Sequence, residues 1–63
     1  MDALQAYERV AAIKRAGRIL REARDAGGDF ATLSRIAVRV NYELYEAQDA
    51  LHDARRAQAV AHV

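Results

Sequence analysis

The chain contains no cysteine and no proline, and only three glycines in 63 residues. Without cysteine there can be no disulfide and no thiolate metal site, and the absence fits a cytosolic setting. Without proline, no helix is interrupted by a missing N–H. Long hydrophobic runs are missing too. The longest stretch free of charge falls far below the ~20 apolar residues that span a bilayer, so no membrane segment is expected. Asp2 and Glu8 near the N-terminus read against a secretory leader. No charge sign dominates: the formal net charge is +1, which by itself points to neither nucleic acid nor membrane.

What is present favours helix. Alanine is abundant, and leucine, arginine, glutamate and glutamine are frequent; all are good helix formers. A chain of this length is at most one domain. It buries only ~60% of its unfolded surface and is marginal alone. Small domains are usually supported by disulfides, a metal or oligomerisation. Here the first is excluded, and oligomerisation is the expected support.

The order of signals predicts two helices and one turn, a single helical-hairpin domain over residues 1–63. Asp2 can cap a first helix, with Gln5 three positions on as in a capping box. The helical pattern then runs unbroken to Ala26. Gly27 and Gly28 end it, since glycine accepts the left-handed conformation that closes a helix. Asp29 can cap a second helix that starts at Phe30 and runs to about Ala61. The first helix is thus expected over 3–26, the turn over 27–29 and the second helix over 30–61. A short connection makes the two helices antiparallel neighbours.

The segment AVRVNYELYE, Ala37 to Glu46, needs a decision. Its alternation of Val38, Val40, Tyr42 and Leu44 with polar residues suits a strand. However, Phe30, Leu33, Ala37, Val40, Leu44, Ala47, Leu51 and Ala54 form one stripe at spacings of three and four, with no phase break. No turn residue bounds the alternation, and a lone strand would need a partner from another chain. A helix is therefore expected throughout.

On that helix Val38, Tyr42 and Tyr45 lie away from the main stripe. They form a second apolar patch, either ordinary exposed surface or a protein contact, since tyrosine is enriched at interfaces. Helix 1 has a similar excess. Ala6, Val10, Ile13, Gly17 and Leu20 make its main stripe, and Ala12, Ala16, Ile19 and Ala23 widen it to about half the circumference. That is broader than the ~100° a surface helix needs. One hairpin partner cannot cover such an arc. The expected fold is therefore all-α, an antiparallel two-helix hairpin that self-associates into a four-helix bundle. The residues expected to meet a partner are Val38, Tyr42, Tyr45, Ala12 and Ile19.

Charge is distributed unevenly. Residues 14–39 hold seven cationic side chains against three acidic ones, while the remainder holds three against six. Two hairpins packed with their turns at opposite ends would set basic halves against acidic halves. Exposed pairs add only ~0–1 kcal/mol each, so this bears on orientation more than on strength. Arg18 with Glu22, Arg21 with Asp25 and Arg39 with Glu43 are spaced for local pairing. A second reading takes Lys14, Arg18, Arg21, Arg35 and Arg39 as a nucleic-acid surface, with Tyr42 available to stack on a base.

Catalytic groupings are lacking. AGGDFA has no Gly-Lys-Ser/Thr ending of a phosphate loop. Ser34 falls near the turn, away from His52 and His62. Asp49 and His52 have the spacing of half a di-metal carboxylate site, and Glu8 would lie at the height of Asp49. But Leu51 belongs to the buried seam, which turns Asp49 and His52 outward, whereas bundle metal sites project inward. No metal, no cofactor and no enzymatic activity are expected. Gln58 falls on the seam and can either fix register or lie beyond the last packed layer.

In length and two-helix architecture the chain resembles the small plasmid-encoded RNA-binding hairpin dimers that regulate replication primers. The stretch ELYEAQDALHDARRAQA after the glycine turn is similar in texture to the coiled-coil hairpins of efflux channel and adaptor proteins. No residue motif accompanies either resemblance, so neither brings a function or a site with it. The sequence reads as a small, non-enzymatic protein-binding or regulatory module that acts as a homodimer in the cytoplasm. A nucleic-acid-binding regulator is the alternative, and a designed or excised bundle is a further one.

Overall fold

A computed structural model describes residues 2–61 of the chain. Two helices, α1 over Ala3–Asp25 and α2 over Phe30–Ala61, pack against each other as a helical hairpin, with no strand among the described residues. The disputed segment from Ala37 to Glu46 is helical throughout.

Local chemistry sets each boundary. Asp2 adopts an extended conformation, and its carboxylate accepts the backbone N–H of Gln5 at 2.8 Å. The Gln5 side chain accepts the N–H of Asp2 in return, at 3.4 Å. This reciprocal capping box satisfies two of the donors that a helix start leaves free. At the other end α1 stops at Asp25, and Ala26 serves as its C-cap. Gly27 has φ +91°, a value that an L side chain resists. The N–H groups of Gly27 and Gly28 donate back to the carbonyls of Arg24 and Ala23, closing the last turn. Asp29 opens α2 in a different way from a simple side-chain cap. Its carbonyl accepts the Leu33 N–H at 2.9 Å, and its carboxylate accepts the Thr32 hydroxyl.

Gly28 is required by space. A Cβ there would sit 2.8 Å from Leu33 Cδ1 and 2.9 Å from the Ala23 carbonyl oxygen. The leucine methyl can swing aside, but the carbonyl is held by the helix end. Gly28→Ala should therefore cost ~2 kcal/mol, the scale of a tight overpacking, and lower Tm by about 10 °C in a domain of this size. Thermal melts by circular dichroism check this; an unchanged Tm would mean the turn relaxes freely.

The seam follows the spacing of three and four. Ala6, Val10, Ile13, Gly17 and Leu20 of α1 face Leu33, Ala37, Val40, Leu44, Ala47, Leu51 and Ala54 of α2, all buried or half-buried. Gly17 stands opposite Val40, whose Cγ1 would lie 4.0 Å from a Cβ on the glycine. That is ordinary contact distance, so the helices do not need glycine here in order to approach. Counting outward from this pair sets Ala3 level with Ala54. The end of α2 from Arg55 to Ala61 therefore projects past α1 and is exposed along its whole length, and Gln58 lies beyond the last packed layer. Phe30 is also 68% exposed and does not join the seam, because it precedes the first layer that α1 can reach.

The buried core is very small. Among the described residues only Ala6, Val10 and Ala47 are buried, at 1%, 6% and 1% exposure. Leu4, Tyr7, Ile19, Ile36, Val38, Tyr42, Tyr45 and Val60 are all exposed. A particle 52 Å long and 14 Å by 13 Å across has almost no interior.

Candidate partner interface

The two helices leave two open faces, and the handedness of the helix assigns residues to each. One position along a helix is about 100° of rotation. In an antiparallel pair, residues one position after each seam residue therefore share one face on both helices, and residues one position before share the other.

The first face holds a groove of about 490 Å³. Ile13, Gly17 and Leu20 of α1 and Leu33, Ala37, Val40 and Leu44 of α2 form its apolar floor. Lys14, Arg18, Arg21 and Arg24 make the wall on the α1 side, while Ser34 and Asn41 stand on the α2 side. No acidic side chain lines it. Val38 and Tyr45 follow Ala37 and Leu44 by one position and continue the row of Ser34 and Asn41 along the α2 rim. Both are about 71% exposed.

The second face is flatter along α1, where Ala12 and Ala16 carry only methyl side chains, and mixes apolar with charged residues along α2. Ala12, Ala16 and Ile19 precede Ile13, Gly17 and Leu20, and Ile36 and Ala50 precede Ala37 and Leu51. Its charges are Arg9, Arg39, Glu43, Glu46 and Asp53. The five residues expected to bind a partner therefore do not form one patch. Ala12 and Ile19 lie on the flat face, Val38 and Tyr45 rim the groove, and Tyr42 points away from α1. The five cations also divide. Lys14, Arg18 and Arg21 stand together on the groove wall, whereas Arg35 and Arg39 do not line it. Arg24 joins the wall instead.

The local ion pairs expected from spacing do not close. Among the described residues the ion pairs are Arg24 with Asp25, at 3.9 Å, and His52 with Asp53, at 4.0 Å. Arg18, Arg21 and Arg39 remain apart from Glu22, Asp25 and Glu43. Lys14, Arg18 and Arg21 are thus uncompensated along the groove. His52 meets Asp53 rather than Asp49, and no group of three or more metal-ligating side chains converges among the described residues. His62 lies outside those residues. No described helix is long and apolar enough to cross a membrane.

No family model matches the chain, and no curated protein or solved structure matches it significantly.

Proposed function

We propose that the chain is a non-enzymatic interaction module that works as a dimer of helical hairpins, a four-helix bundle closed by a second copy. The observation that carries this reading is the size of the core: three small residues are buried while Ile19, Ile36 and other large apolar side chains remain exposed. At ~25 cal/mol per Å² of buried apolar area, a lone hairpin with this interior would barely offset its ordering entropy. Without the ~10 Å overhang of α2, the two-helix face of the 52 Å by 14 Å particle offers about 600 Å² per copy, so a pair reaches only the low end of the ~1,200–2,000 Å² that stable interfaces bury.

The flat face suits the second copy. With a two-fold axis across the middle and turns at opposite ends, Lys14 marks the midpoint of α1 and Glu43 the corresponding level of α2. Ala12 then meets Ala16 of the second copy, and Ile36 meets its Ala50. Arg39 lies within reach of Glu46 of the second copy, and the contact is made twice. Ala12 and Ala16 permit close approach along α1, and the repeated Arg39–Glu46 pair sets the orientation. In such a dimer the groove stays open for a protein partner, which is the regulatory role we assign to it.

A charge swap tests the arrangement. Arg39→Glu should weaken association about tenfold, because like charges then oppose each other twice. Arg39→Glu combined with Glu46→Arg should restore it. Sedimentation equilibrium reads both. No recovery in the double variant would remove this face as the interface.

The alternative, a grip on RNA or DNA by the basic residues, is supported by the row of Lys14, Arg18 and Arg21. It is weakened by the separation of Arg35 and Arg39 from that row. Retention on RNA and duplex DNA across a salt series tests it, since phosphate contacts lose affinity steeply as salt rises.

A further inference from the structure

We propose that the groove beside Lys14, Arg18 and Arg21 is a docking site for an acidic amphipathic helix of a partner protein. This rests on the reading of the chain as an interaction module and adds the chemistry of what it binds.

The groove is asymmetric in a way that a helix can match. Its floor is apolar, one wall is a row of cations, and the other rim is neutral. From Ile13 to Arg24 it runs about 16 Å, about three helical turns. A helix laid in it would bury an apolar stripe on Ile13, Leu20, Val40 and Leu44, as in other helix-in-groove complexes. Its acidic edge would meet Lys14, Arg18 and Arg21, which have no ion-pair partner among the described residues. Its neutral edge would lie against Asn41 and Tyr45. The missing side chain at Gly17 leaves a notch in the floor, with Val40 Cγ1 as the nearest atom across it. That notch is about one methyl group wide and lets the incoming helix approach closely at this point.

Other occupants fit less well. A phosphate backbone would pair with the cations but leave Ile13, Leu20 and Leu44 facing water. A second copy seated here on the same two-fold would bring Lys14 against its own equivalent at the centre with no acidic side chain lining the groove to offset it, whereas Glu43, which meets its own equivalent on the flat face, has Arg39 one turn away.

The test uses the full chain and a synthetic amphipathic peptide of about 14 residues, with leucines along one stripe and glutamates along one edge. Control probes are the same peptide with lysine in place of glutamate and a single-stranded RNA of similar length. Fluorescence anisotropy should show the glutamate peptide binding one per hairpin, and at least tenfold more weakly to Lys14→Gln/Arg21→Gln. Gly17→Ala, which meets Val40 only at contact distance, should keep the helicity and weaken the peptide several-fold by filling the notch. Equal binding of the two peptides, or binding of RNA alone, would overturn the proposal. Light scattering on the same samples separates the two readings. If Lys14→Gln/Arg21→Gln abolishes dimerisation as well, the groove is the dimer face and the proposal falls while the dimer stands. If the chain is monomeric throughout but captures the peptide as described, the groove proposal holds and the homodimer does not.

Discussion

Val10→Asp will leave the chain largely unfolded at micromolar concentration. Val10 packs with Ala6 and Ala47, the three buried residues among those described. No cation of the seam lies within that layer to pair with a new carboxylate. Burying such a group without a partner costs several kcal/mol. The whole stability available to 63 residues is only ~3–9 kcal/mol. Circular dichroism should show most of the helical signal lost at neutral pH. Retention of full helicity would mean that this layer does not hold the hairpin together, and that the cores lie elsewhere in the assembly.

The second large effect concerns the flat face. Ala16→Glu with Ile19→Glu places two acidic groups per copy where a second copy is proposed to pack. Both positions are exposed in the isolated hairpin. A stable monomer would therefore tolerate the change. A dimer would not, because four carboxylates would lose water together. Association should weaken by well over a hundredfold, at ~1.4 kcal/mol per factor of ten, and helicity should fall with it. Tyr42→Ala with Tyr45→Ala is the contrasting variant. Tyr42 points away from α1 and Tyr45 rims the groove, so helicity and dimer mass should both stay unchanged.

Much of this fold is readable from local letters. The capping box at Asp2 and Gln5, the closure at Gly27 and the start at Phe30 are each decided within four residues by hydrogen-bonding needs that the sequence displays. The stripe from Leu33 to Ala54 keeps its phase through Val38–Tyr45, which is why the helix wins over the alternating pattern. Phe30 was misleading because spacing alone carries the stripe past the point where α1 can meet it. The ion pairs fail for a related reason. The i, i+4 spacing puts Arg18 and Glu22 on nearly the same side of the helix one turn apart, but Arg18 lines the groove and Glu22 does not.

The groove itself was legible only in part. Lys14, Arg18 and Arg21 stand out as a row at spacings of four and three. What separates them from Arg35 and Arg39 is the hand of the helix, which puts every residue just after a seam position on one face of an antiparallel pair. Applied to both helices, that rule also gathers Ser34, Val38, Asn41 and Tyr45 on the opposite rim, and sends Ala12 and Ile19 to the other side of the molecule. The width of the apolar arc on α1 is what makes a second contact expected. It did not say that the arc splits into two faces of different character, one small and flat, one grooved and cationic.

The most direct measurement is mass by light scattering, with helicity followed by circular dichroism over a dilution series. The expected result is a particle of twice the 7.0 kDa chain whose helicity falls as it dissociates. A fully helical monomer that persists on dilution would contradict the account, because a hairpin closed over Ala6, Val10 and Ala47 would then be stable without a second copy.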